Sequence, residues 1–350
     1  MAGETHGPLR QQNNSERTHM REELVRERGD FNDQVVYGFF KPTIQASLPD
    51  RTWYGMRVDL YSMNAVLTDE DGKLWYVLRF HDHALSPVSR LRTNGDGTDL
   101  YHEHPDGARA YVGPIRHRVE GEAHIIESIM PIPGKQPYHY ARSADRMEWS
   151  EGDLFSLTGE VVCPTMAYVA PDATGGWAFT SDVTRVEGTV MGRKCRGFCE
   201  FGTGWAGPGV SYMTRYAESR LHWMIICNQY EDGTYDIAHI SRMMRENCFA
   251  LLANEKGPYM ATGDVKLEVE LDEGGNRARY PKAVNLELGG EKWRWIPVDD
   301  SHIDLPPVMG AASREGYALR VGETRKLAYG WGWLNTSGDS RIDPYVINPR

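Results

Sequence analysis

The sequence predicts an all-β chain of two mainly antiparallel domains, and three observations carry that expectation. From about Val35 onward, short alternating or apolar runs are punctuated by turn signals: DEDG, TNGDG, HPDG, DATGG, YEDG and DEGG. No G-x-G-x-x-G follows a strand and opens a helix, and no P-loop occurs, so nucleotide-cofactor folds are not expected. Two stretches echo each other: residues 63–80, MNAVLTDEDGKLWYVLRF, and residues 222–240, HWMIICNQYEDGTYDIAHI, each join an apolar run to an aromatic-containing run through Asp-Gly.

The echo places Asp71 and Asp232 at equivalent hairpin tips and favours a duplication. The join is expected near residues 180–188, after the Pro- and Gly-rich PDATGGWAF. This gives a polar extension over residues 1–30, one β domain over 31–184 and a second over 185–350. Within the extension, SERTHMREELVRE (residues 15–27) reads as a short helix with Ser15 as its N-cap.

A chain of 350 residues with 40% hydrophobic content can bury substantial cores. Its net charge of -10 gives no basic field, so nucleic acid is not an expected partner. No apolar run approaches the roughly 20 residues of a membrane span, and residues 1–28 lack the apolar core of a signal peptide. Integral membrane association is therefore not expected, and the cytoplasm is the expected compartment. Five scattered cysteines suit reduced, mostly buried thiols. Ten tryptophans and eighteen tyrosines can either line a cavity for an apolar or aromatic small molecule or fill β cores. Such a molecule is the expected partner, with a homodimer left open.

The stretch GRKCRGFCEFGTGWAG (residues 192–207) carries most of the chemistry. Its glycines run into more strand where a phosphate cradle needs a helix N-terminus, and Cys195 and Cys199 lack the second paired cluster that a structural zinc wants. Together with LHWMIICNQYEDGTYDIAHI and GDVKLEVELDEGGNRARYPKAVNLEL, this stretch resembles the carotenoid-hydratase and AttH-like family over roughly residues 185–288. The resemblance implies two lipocalin-like antiparallel barrels in tandem. It also implies activities such as hydration of an isolated polyene double bond, or pericyclic and cyclising reactions on bulky apolar molecules. Gly197, Phe198, Glu200 and Trp205 match the family's pattern of glycine, aromatic, acid and tryptophan; Phe201 stands where the family has histidine.

Strand periodicity places Arg196, Phe198 and Glu200 on one face and Cys195, Gly197, Cys199 and Phe201 on the other. If the Glu200 face lines a cavity, desolvation raises its carboxyl pKa toward the range of a proton donor; an Arg196 pairing would oppose this. His222 shares a face with Met224, Ile226 and Asn228, and Trp223 lies on the opposite face. Asp236 is a second candidate carboxylate. If the strands are neighbours, Glu200, Asp236 and His222 could divide proton donation and acceptance. Arg196, Phe198, Trp205, Tyr212, Trp223, Trp331 and Trp333 are the candidate substrate-binding side chains, the last two set in YGWGWLNTS with Tyr329 on one side of a strand.

No cofactor is implied. The resulting expectation is a cofactor-independent acid-base enzyme, a hydratase, lyase, isomerase or cyclase, acting on a bulky hydrophobic or aromatic molecule such as a terpenoid or polyene. Two alternatives stay open. One is a non-catalytic lipocalin-like carrier. The other is a β-barrel metal enzyme using His81 and His83 of FHDH with His102 and His104 of YHEHPDG, although the glutamate that cupins place at fixed spacing is missing. His81 and His83 are expected to face solvent, a domain interface or a polar pocket.

Overall fold

A computed structural model describes residues 29–31, 35–81, 88–93, 99–102, 114–129, 137–170, 176–243, 248–261, 265–271, 281–304 and 311–337. The expected helix over residues 15–27, His83, His104 and the turn signals TNGDG, HPDG and DEGG fall wholly or largely outside these residues. The described chain forms two antiparallel sheets joined by one short helix, α1 (Tyr212–Ser219).

The hairpin tips form where the sequence places them. β3 (Arg57–Asp69) and β4 (Leu74–His81) turn through Asp71-Gly72 with Gly72 at φ 78°. β15 (Arg220–Tyr230) and β16 (Tyr235–Met243) turn through Asp232-Gly233 with Gly233 at φ 88°. The longest hairpin joins β13 (Trp177–Val190) to β14 (Arg193–Ala206). Its two turn residues, Met191 and Gly192, both take positive φ (51° and 77°), which keeps the twist of the flanking strands.

Among the described residues the first sheet has 14 strands and runs through β3, β14 and β13 at its centre. The second has nine, and its first strand, β15, pairs with its last, β23 (Leu327–Ser337), to give a nearly closed barrel. The expected change of domain at residues 184/185 is corrected by this topology. Arg185 lies inside β13, and β14 pairs with β13 over its whole length and with β3 from Cys195 to Ala206, so the chain leaves the first sheet after Ala206 and enters the second at Arg220. The ladder decides: a hairpin of two 14-residue strands cannot be divided between sheets without orphaning its backbone groups.

Period-2 alternation sorts the apolar side chains into three cores. One fills the curl of the first sheet, with Met63, Ala65, Val77, Cys199, Phe201 and Trp205. One fills the second barrel, with Met224, Ile226, Ala238 and Ile240. The third lies between the sheets: Tyr76, Phe179 and Phe198 from the first meet Trp223, Trp331 and Trp333 from the second. All eight residues of β4 are buried, so His81 is corrected too. Its face is the interior of the first sheet, where it is fully buried against Tyr138 at 4.7 Å. The five cysteines are free thiols and all but Cys248 are buried.

Candidate active site

Glu200 sits near the middle of β14, paired across the ladders with Asn64 on β3 and Val183 on β13. Its side chain enters the space between the sheets and is fully buried. Ser181 Oγ donates to one carboxylate oxygen at 2.6 Å, and Asn64 Nδ2 donates to the other at 3.2 Å. Burial pushes the Glu200 carboxyl up to about 7; these two hydrogen bonds pull the other way, and the Asp182 charge adds to the rise. Both partners suit either protonation state. A serine hydroxyl can donate or accept, and a reoriented amide presents its oxygen to a protonated carboxyl.

Around the carboxyl is a narrow crevice walled by Phe80, Phe179, Tyr212, Trp223 and Trp333. Two glycines make room for these rings. A Cβ on Gly204 would lie 2.6 Å from the Tyr212 ring, and one on Gly202 would lie 2.3 Å from Ser62 Oγ and 2.6 Å from Phe179. Tyr212 stacks on Phe179 at 6.0 Å, and Asp59 anchors the start of α1 by accepting from the Tyr212 backbone N–H at 2.8 Å. Across the crevice, Trp223 meets Trp333 edge to face at 5.7 Å. The free volume is about 30 Å³, far below the several hundred Å³ typical of a drug-sized ligand's pocket.

Four of the candidate residues therefore come together: Glu200, Tyr212, Trp223 and Trp333. Trp331 lies behind Trp333 at 6.2 Å, within the same inter-sheet core. Phe198 shares the Glu200 face but packs on Tyr329 at 5.6 Å. Arg196 is exposed and lies over the Tyr329 ring at 5.1 Å, so it is not the partner that would have held Glu200 ionised. Trp205 is on the opposite face, in the first sheet's interior, where its indole N–H donates to Thr180 Oγ1 at 3.4 Å.

His222 and Asp236 do not join Glu200. The His222 strand face packs inside the second barrel, and burial, helped by the Arg242 charge, pushes its imidazole down to about 3. Asp236, also buried, accepts from Arg320 and Arg325 at 2.7 Å each and from Tyr230 Oη at 2.9 Å. It lines a separate polar recess with Glu323 and Lys256. The division of labour among Glu200, Asp236 and His222 is thus replaced by a crevice in which, among the described residues, Glu200 is the sole carboxyl and no imidazole stands on the walls.

Several neighbours were not singled out from sequence: Asn64, Ser181, Ser62, Phe80 and Phe179. The signal available for the first two was a polar residue inside a strand with both faces apolar, MNAVL and FTSDV. His239 is another: fully buried, it accepts from Trp223 Nε1 at 2.5 Å and stands edge-on to Phe179 at 5.8 Å. Of the histidines considered as metal ligands, only His81 has a described side chain, since His102 is described only as part of β6 (Asp99–His102). Among the described residues no group of three or more His, Cys, Asp or Glu is placed to hold a metal ion. No helix among them is long and apolar enough to cross a membrane.

No family model matches the chain, and no curated protein matches it in sequence. Among solved structures it is similar to a Nitrosomonas europaea protein assigned as an AttH, at 14% identity and a TM-score of 0.50, covering 81% of this chain and 93% of the other. It is also similar to kievitone hydratase of Nectria haematococca, at 12% identity and a TM-score of 0.47, covering 87% and 94%. With one strongly curled sheet packed against one nearly closed barrel, the chain has the tandem lipocalin-like fold of the AttH-assigned protein.

Proposed function

We propose that this chain is an acid-base enzyme in which Glu200 protonates an unsaturated carbon of an apolar small molecule held among the crevice's aromatic rings. The reaction class is hydration or its reverse, with isomerisation or cyclisation following from the same protonated intermediate. One observation carries the reading: a carboxyl whose burial among aromatic walls raises its pKa to about 7 is still an acid in part at neutral pH. A catalytic acid is most effective when its pKa lies near the working pH. The walls come from two sheets and a helix, so an apolar substrate would enter by parting Tyr212 and Trp223 from β14.

The carrier reading is disfavoured by the same carboxyl. Burying an ionisable group in a site that only has to bind apolar matter costs stability and adds nothing to affinity. Glu200→Gln keeps the shape and the hydrogen-bonding capacity while removing the acid. Turnover of a polyene or terpenoid substrate should fall by at least about 100-fold with binding within a few-fold of wild type. A Glu200→Gln protein that turns over at the wild-type rate removes Glu200 from the chemistry.

A further inference from the structure

With Asp236 and His222 enclosed elsewhere, the crevice offers, among the described residues, no second carboxyl or imidazole to take a proton from water, yet a hydration needs a proton acceptor. The crevice does hold a set of polar atoms in need of partners. Ser62 Oγ lies directly over Gly202, next to the Glu200–Asn64 pair on the same strand face. Asn64 Oδ1 is buried with no protein partner, and so is Trp333 Nε1. The crevice that these three residues help to line has about 30 Å³ of free space. A water needs about 10–15 Å³ of such space and two to four polar neighbours. One donor, one acceptor and one hydroxyl beside a carboxyl match that requirement.

We propose that this corner of the crevice is a water subsite, and that Glu200 serves as both the acid and the base of a hydration through the water held there; this rests on the acid role of Glu200 proposed above. Ser62 Oγ and Asn64 Oδ1 share one of the water's hydrogens, its other hydrogen faces the Glu200 carboxylate, and Trp333 Nε1 donates to one lone pair of its oxygen, leaving the second for the carbon. In its acid form Glu200 delivers a proton to one carbon of the double bond, and the π electrons become the new C–H bond. The adjacent cationic carbon takes a lone pair of the water oxygen. As that C–O bond forms, the water's proton passes to the Glu200 carboxylate while its electron pair stays on oxygen. One water is added across the double bond and the carboxylic acid is regenerated. Both additions occur on the side facing β14, so the product is the syn adduct.

The water can be tested without a substrate. The wild-type crystal structure should show an ordered water within about 3.2 Å of Ser62 Oγ and of the Glu200 carboxyl. In solution, magnetisation from water should reach the Trp333 indole proton of 15N-indole-labelled protein, with the resonance assigned by Trp333→Phe. Ser62→Val, whose methyls fill the space, should abolish that transfer. An empty corner together with no transfer to Trp333 in the wild type overturns the proposal, as does an undiminished transfer in Ser62→Val. The two readings fail separately. A missing water leaves the acid role of Glu200 standing, whereas full turnover by Glu200→Gln removes that role with the water still in place.

Discussion

The raised pKa of Glu200 makes the protein less stable as pH rises, and the size of that effect follows from its burial. In the unfolded chain the carboxyl titrates near its ordinary value of 4.5, whereas in the fold it titrates at about 7. Between these values the native state binds more proton than the unfolded state, so stability falls with rising pH. Below about 4.5 both states are protonated and nothing is lost. Above about 7 both are ionised and the full penalty is present, at roughly 1.4 kcal/mol per pKa unit, or about 3 kcal/mol in all. Glu200→Gln removes this titration and leaves every other group in place. Unfolding free energies of both proteins from urea titrations at pH 5 and pH 8 give a double difference in which the buried histidines and ion pairs cancel. Over this interval the wild type should lose about 2–3 kcal/mol relative to the variant. Parallel stability curves would refute the argument, because they would mean that the carboxyl titrates alike folded and unfolded.

Three further perturbations test the frame that holds the crevice. Gly204→Ala drives a methyl against the Tyr212 ring, so it should cost about 1–3 kcal/mol in chemical denaturation and alter the tryptophan fluorescence of the inter-sheet core. The fully buried Arg79–Glu151 pair, bonded at 2.6 and 2.9 Å inside the first sheet, should behave asymmetrically. Arg79→Met alone should cost about 3–5 kcal/mol by taking the guanidinium away from a buried carboxylate, whereas the double change with Glu151→Leu should recover most of it, as a double-mutant cycle will show. Met191 is exposed and holds φ 51° in the β13–β14 turn, so Met191→Asn should raise thermal stability by about 0.5–1 kcal/mol, read as an upward shift in Tm.

Local pattern accounts for much of what the sequence made legible. Asp-Gly at residues 71–72 and 232–233 marks the tips of two real hairpins, and alternation correctly groups Phe198 with Glu200 and separates Trp223 from His222. The same alternation already excludes Trp205 from the Glu200 face, since five positions along a strand reverse the side, and glycine-rich sequence between them obscured that count. Partner strands are a different matter. Asn64 contacts Glu200 across 136 residues, and nothing in either strand specifies that pairing. The sheet to which β13 and β14 belong is settled by long-range ladders, so the boundary drawn just after the loop-like PDATGGWAF fell inside β13, in the middle of a first-sheet strand. The His222 and Asp236 faces look inward to the second barrel because both flanking cores are apolar, which leaves alternation unable to tell the barrel's inside from its outside.

The pairing of β15 with β23 has a consequence for biogenesis. As the ribosome delivers the second sheet, its opening strand has one neighbour at once in β16 but must wait roughly a hundred residues for the other. Trp331 and Trp333 arrive with β23, so the tryptophan corner beside Glu200 stays unformed until that strand is made. Ribosome-stalled chains ending before Leu327 should therefore expose the Trp223 side of β15 to chaperones, and the nascent chain cannot close its crevice ahead of β23.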